Sequence, residues 1–418
     1  MLRTILLFMI LFVHLSPIQP EAAKNPSQLK AAFVRNDDLW IKIGNKERQI
    51  TTGEYVRYPK WSPDGQWIAY IKSKNAGDMV NNGDLWLFHI RLNKHIHIKS
   101  NVKNNFQWSH DQNKIGFLIN KSLYVLNTAP THSFVPSLVA EQVDNFSWLP
   151  DGEGFIVATR ENEHLHSNII LSKIIINDRD IPTKSHFFTI PIGNDELIAG
   201  TSQFKWSHDS KWISFLLVPT ASISADSNTL CLLTSDGKVF HRIDKEVLNE
   251  NDWFKWAPSS TILGYISGGG RETTNNKKLT LVSPPSIQKK SITPKGFADR
   301  DLTWKNNNII YVSRSEEKKS NNLEEKPLPN LYEVNISTNT QKQITFPLRK
   351  NGDFVIDVKP KQLVWIRTDR KNADVLISNI DQINEETWIK DLTVANSYYE
   401  RWSWEEVFSL YNGANLGN

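Results

Sequence analysis

The residues of this chain best suited to chemistry are a scatter of histidines and carboxylates. His95 and His97 stand two apart in the run HIHI, His89 lies a few residues earlier, and His164 with His166 forms a second H-x-H. Alternation places such a pair on one face of a strand, a spacing compatible with two ligands of a metal ion. No third ligand is identifiable nearby, so the expectation is solvated imidazoles on an outer strand, with no metal and no other cofactor assigned. Asp78, Asp84, Glu161, Glu163, Asp226 and Glu272 are carboxylates of which any two could act as general acid and base on a glycoside. Nothing in their spacing pairs them, and no catalytic residue is assigned. The stretch SGGGR at 267–271 has the glycines of a phosphate loop but neither the G-K-[ST] ending nor a following helix, which leaves a flexible loop.

Cys231, in TLCLLT, is the single cysteine of 418 residues. A chain with one thiol closes no internal disulfide, so packing must hold it, and Cys231 reads as a buried strand residue. The formal charge of +4, from 49 basic and 45 acidic residues, is weak for this length. No basic stripe interleaved with aromatics occurs, which argues against nucleic acid and leaves room only for a mild attraction to anionic wall polymers. The first residues differ from the rest: Arg3 precedes an apolar run over 5–15, too short for a comfortable transmembrane helix and suited to a secretory signal over residues 1–23. Glu21 sits where a small residue is wanted for cleavage, so an uncleaved membrane anchor is the alternative. Either way the expected location is secreted or extracytoplasmic, with the membrane reached only through the N-terminal segment, and a single domain over 24–418.

The elements that would carry these residues announce themselves by repetition. YPKWSPDGQWIAYI at 58–71 returns as FQWSHDQNKIGFLI and FKWSHDSKWISFLL. The Trp recurs at Trp61, Trp108, Trp148, Trp206, Trp256 and Trp304, at intervals of 47, 40, 58, 50 and 48 residues. That period suits a four-stranded propeller blade. Before each Trp stand PK, FQ, FS, FK, FK and LT; after it come turn formers such as SPDG and SHDQ, then two alternating apolar runs and a weaker polar one. Period-two alternation rich in Ile, Val, Tyr, Phe and Trp makes strands. One more period beyond Trp304 falls on FVIDVKPKQLVWIRT, which keeps the pattern without its Trp, and another falls on YYERWSW. The first unit, 31–51, lacks an inner strand, and YYERWSW is expected to supply it. The fold class is therefore all-β: a single β-propeller of eight four-stranded blades, closed by a C-terminal strand completing the first blade. Seven blades remain the alternative if 354–393 is an appendage.

The unit YPKWSPDGQWIAYI…DLWLFHI resembles the TolB-like β-propeller repeat, which also builds the propeller domains of prolyl-oligopeptidase-type peptidases. The resemblance implies architecture more than activity. TolB carries a separate N-terminal α/β domain for which residues 24–31 leave no room, so its envelope role is not implied. The peptidases need an α/β-hydrolase domain with a G-x-S-x-G elbow, and no such motif occurs here.

In such a propeller the loop from second to third strand shares a face with the connection between blades, opposite the Trp-Ser-Pro-Asp-Gly turns. Those loops are long at 72–83, 160–167, 218–228, 267–278 and 313–329. The last, charged and of low complexity, is expected to be a mobile excursion. Long polar loops converging on a rigid scaffold point to binding. Asp78, Asn82, Asp84, Glu161, His164, His166, Asp226, Arg271 and Glu272 are the candidate binding residues. The expected function is a non-catalytic module for an envelope protein or cell-wall glycan; the alternative is an enzyme, such as a polysaccharide lyase or hydrolase, with its site in the central channel.

Overall fold

The structure, a computed structural model, describes residues 28–413 apart from 74, 76–81, 130–133, 177–180, 321, 360, 382 and 396. The expected signal over 1–23 lies outside these residues. The described strands form four four-stranded sheets, two larger sheets of eight and nine strands, and a two-stranded hairpin; successive runs of about four strands are numbered here as blades in chain order. No described helix is long and apolar enough to cross a membrane.

Blade two shows why the sequence repeats. Its strands run Tyr55–Trp61, Trp67–Ser73, Asn82–His89 and Lys94–Lys103, each antiparallel to the next. The turn after Trp61 is locked by its own side chains: Ser62 Oγ donates to Asp64 at 2.6 Å and accepts the Trp67 N–H at 2.9 Å. Gly65 then takes φ +65°, a conformation that glycine adopts without strain. Blade five repeats the lock with Ser207, Asp209 and Trp212.

The Trp residues do more than fill space. Each indole N–H donates to a backbone carbonyl of the preceding blade's inner strand: Trp108 to Lys60 (3.1 Å), Trp148 to Gln107 (3.0 Å), Trp206 to Trp148 (3.2 Å), Trp256 to Lys205 and Trp304 to Lys255 (both 3.0 Å). Trp61 completes the series on Ser409 at 3.2 Å. A buried carbonyl at the inner edge of one sheet is thus satisfied by the next, a bond worth about 1 kcal/mol net and more if broken and left unpaired.

Blade eight, Gly352–Lys359, Gln362–Thr368, Ala373–Asn379 and Glu386–Leu392, is a complete four-stranded sheet. It is no appendage: Phe354, Val364 and Val375 share one core with Phe33, Ile41 and Phe408 of blade one, and the Trp388 indole donates to Gly44 O at 2.9 Å.

The first blade is closed by a C-terminal strand, but not by the residues expected. Phe408–Leu410 pairs with Lys30–Arg35 as the inner strand, Phe33 opposite Phe408 and Ala31 opposite Leu410. YYERWSW instead forms a small hairpin, Ser397–Tyr398 with Arg401–Trp402, and a short turn, Trp404–Glu406. The loop 313–329 also departs from expectation. Asn322 caps the turn Leu323–Glu325, Lys326 is buried in an ion pair with Glu272, and Leu328 packs against Gly352. Charge composition suggested mobility; a buried lysine with a partner in another loop anchors it.

Candidate functional site

The residue before several inner-strand Trp residues ties neighbouring blades together through its side chain. Lys60 Nζ donates to Phe106 O at 2.8 Å, Gln107 Nε2 to Phe146 O at 2.9 Å, and Lys205 Nζ to Phe254 O at 3.0 Å. The two ammonium groups also lie over the rings of Phe106 and Phe254, at 4.4 and 3.9 Å. The aromatic that precedes the Trp in the repeat is therefore both a core side chain and an anchor for the preceding blade. Lys255 pairs with Asp252 at 3.0 Å.

Into this ring of cations the C-terminal segment inserts Glu405. Its charge acts on Lys60 of blade two and Lys205 of blade five alike, which an axial position allows. Burial pushes the Glu405 carboxyl up to about 7, helped by Asp252, and Asp301 up to about 6 by the same two causes. Glu250 rises to about 8 through burial, with Arg401, 3.3 Å away, opposing the shift without cancelling it. Burial draws Lys60 and Lys205 down to about 8 each. All of these side chains are half-buried: protein surrounds them, yet each keeps an accessible edge, as in the wall of a narrow channel.

Residues 397–406 lie across the loop-side mouth of that channel. Arg57 of blade two holds Glu406 at 3.3 Å, Thr273 of blade six reaches Tyr399 O at 3.4 Å, and Arg370 of blade eight holds Glu400 at 2.5 Å. Trp402 packs on Phe354, ring centres 4.9 Å apart. What this segment leaves outward is a pair of tyrosines, Tyr398 and Tyr399, edge to face at 4.7 Å and both exposed. Arg271 lies over the Tyr399 ring at 5.6 Å and Arg401 over Tyr398 at 5.0 Å.

The residues singled out from sequence fall into three groups on the loop face. Asp226, Arg271 and Glu272 come together: Arg271 binds Asp226 through Nε at 2.8 Å and through its backbone N–H at 3.1 Å, while Glu272 pairs with Lys326. The tyrosine pair stands beside them. Glu161, His164 and His166 belong to blade four, where Glu161 accepts from Asn168 at 3.1 Å, His164 is exposed, and His166 Nδ1 lies 3.1 Å from Glu196 O. Asn82 and Asp84 begin the third strand of blade two, Asp84 opposite Lys72. Asp78 lies outside the described residues. The loop 218–228 contributes a short helical turn, Ala221–Ser224.

The H-x-H pair on the outer strand of blade two serves the sheet. His95 Nδ1 is 3.0 Å from the Tyr70 hydroxyl, and His97 lies 5.1 Å from the Trp86 ring. His89 packs against Trp67 and accepts the Leu92 N–H at 3.2 Å. Among the described residues no three His, Cys, Asp or Glu side chains gather as metal ligands. Cys231 is fully buried, and burial raises its thiol above the usual range.

Sequence reasoning missed the channel charges, although a signal was present: Lys recurs immediately before Trp61, Trp206 and Trp256. Beside the Trp-Ser-Pro-Asp-Gly turns a cavity of about 1780 Å³ takes its walls from His110, Asp111 and Pro150 on one side and Asp357, Lys359 and Tyr411 on the other.

No protein-family model matches the chain, and no curated protein matches it in sequence. Solved structures do match in shape. The dihydro-heme d1 dehydrogenase NirN, in complex with DHE, is 13% identical with a TM-score of 0.60, over 96% of this chain and 78% of that one. A puromycin-hydrolyzing peptidase of Mycobacterium tuberculosis is 10% identical with a TM-score of 0.50, over 82% of this chain but only 54% of the peptidase. TolB from Acinetobacter baumannii is 12% identical with a TM-score of 0.36, over 75% of this chain and 63% of TolB. Similarity at these identities is one of fold: the chain is an all-β propeller, and its neighbours include enzymes as well as TolB.

Proposed function

We propose that this chain is an extracytoplasmic propeller of TolB-like repeats that acts as a non-catalytic binding module for an envelope protein or a cell-wall glycan. The observation that carries this reading is the tyrosine pair at the centre of the loop face. Tyr398 and Tyr399 are exposed, packed edge to face with Arg271 and Arg401 lying over their rings, and mounted on a segment fixed by ion pairs to several blades. Rigid aromatic and arginine side chains that need no ordering on contact are the anchors of protein and sugar recognition. Asp226, Glu272 and Lys326 frame them with charge.

The rival is an enzyme working in the channel, and Glu250, Asp301 and Glu405 favour it by titrating near neutrality. Against it, Lys60, Lys205 and Gln107 are already engaged with carbonyls of neighbouring blades and Lys255 with Asp252, and these ties explain their presence without a substrate. Residues 24–418 should be sedimented with isolated wall polysaccharide and, separately, cross-linked to envelope proteins, beside a chain carrying Tyr398→Ala and Tyr399→Ala. Retention by the first and loss by the second, at equal melting temperature, supports the reading. Equal behaviour of the two chains sinks it, and polysaccharide cleavage that Glu405→Gln abolishes would install the rival.

A further inference from the structure

The connection between blades seven and eight reads TFPLRKN over 345–351 and presents its apolar side chains to solvent. Phe346 is 75% exposed and Leu348 72%. No other Phe or Trp among the described residues is exposed. Nothing about the loop's base is loose. Thr345 is fully buried and its Oγ1 accepts the Leu331 N–H at 2.9 Å, while the Asn351 N–H donates to Leu348 O at 2.7 Å. Gly352 sits so close to Leu328 and Pro329 that a Cβ would collide with them. Pro347 stiffens the tip between the two exposed side chains. The two residues are therefore held outward by a built turn.

Their surroundings are basic. Arg349 and Lys350 follow directly and are exposed, and Lys371 is exposed on the turn over 369–372 of blade eight. Lys350 lies near enough to that turn for its charge to act on Asp369. Three cations and one carboxylate thus accompany two apolar side chains. A protein partner needs roughly 800 Å² from each side, which a two-residue tip does not offer. A bilayer interface needs only apolar groups that reach below the headgroups, with cations at phosphate level.

We propose that the 346–350 tip docks the propeller on an anionic bilayer, Phe346 and Leu348 entering the interface while Arg349, Lys350 and Lys371 meet lipid phosphates. The loop face then turns toward the membrane. This docking is carried by the rim alone and stands apart from the tyrosine pair at the centre.

The test is co-sedimentation with vesicles. Every described strand lies between residues 30 and 410, so residues 24–418 keep all the described strands and drop the apolar N-terminal run that would bind vesicles by itself. The expected result is binding to phosphatidylglycerol-containing vesicles that falls about tenfold with Phe346→Ser plus Leu348→Ser. Arg349→Gln plus Lys350→Gln should lower it by about fivefold per charge, and added salt should mimic that loss. Tyr398→Ala should bind like the parent, which separates this result from the fate of the binding-module reading. The proposal is overturned if anionic vesicles are not bound, if pure phosphatidylcholine is bound as well, or if the Phe346 and Leu348 substitutions change nothing. It is equally overturned if the chain self-associates through this tip, seen as a dimer in sedimentation velocity that the double substitution dissolves without any vesicle binding.

Discussion

Replacing Glu250 by glutamine should change how stability depends on pH more than it changes stability itself. Burial holds the Glu250 carboxyl at about 8 in the folded protein, against about 4.3 in an unfolded chain. A carboxyl with its folded value raised keeps its proton when folded and loses it when unfolded. Its stabilising contribution is complete below the unfolded value and is lost as pH rises through the interval up to the folded one. Each pH unit inside that interval costs about 1.4 kcal/mol, so between pH 5.5 and 7.5 the parent chain should lose roughly 2–3 kcal/mol through this one group. The amide introduced by Glu250→Gln would have the same shape and could still accept from Arg401, but would not titrate. Glu405 and Asp301 remain in both chains and cancel to first order in the difference. Urea unfolding of both chains at the two pH values gives the number: the variant should gain roughly 2–3 kcal/mol on the parent as pH rises. A difference that stays constant within about half a kcal/mol would mean that Glu250 ionises like a surface carboxylate beside Arg401, and that the channel wall is not a low-dielectric setting.

The Asp299–Arg314 pair is almost fully buried and bonded at 2.5 and 2.8 Å. Arg314→Met should cost about 3–5 kcal/mol by stranding the carboxylate, while adding Asp299→Leu should recover much of the loss, both read from urea unfolding. Phe408→Ala, which empties the core shared by blades one and eight, should cost about 3–5 kcal/mol and make the C-terminus the first site of limited proteolysis. Cys231 should resist a thiol reagent in the folded protein and react only as denaturant unfolds blade five, because it is fully buried with its thiolate disfavoured.

The blades were legible because their signals are local. A Trp, a Ser-Pro-Asp-Gly turn and two alternating runs each act within a dozen residues, and Ser62, Asp64 and Gly65 show why those types recur. The closing strand was displaced by about ten residues because its cue was misleading. YYERWSW carries the expected Trp, whereas the true inner strand of blade one, Phe408–Leu410, carries none. The channel was missed for a different reason. Lys60 and Lys205 read as ordinary charged residues until the fold brings them within reach of Glu405, 200 residues beyond Lys205. Closure of the loop-side mouth depends likewise on contacts such as Arg57 with Glu406 and Thr273 with Tyr399, which no local pattern encodes. Of the described candidate binding residues, Asp226, Arg271 and Glu272 gather beside the tyrosine pair, whose own exposure had no signature in the sequence.

Blade one, assembled from Lys30–Arg35 and Phe408–Leu410, also sets a clock on biogenesis. Its outer three strands are made early in synthesis but wait through about 360 further residues for the strand that completes them. Over that interval Phe33 and Ile41, which end up wholly or almost wholly buried, have neither the blade-eight core nor Phe408 to cover them. The intermediate blades can form in order as they emerge, each on its predecessor, while the oldest segment stays the last to be finished. A nascent chain halted before residue 408 would therefore carry an open sheet edge and bare aromatics, the species on which a holding chaperone or a protease would act first.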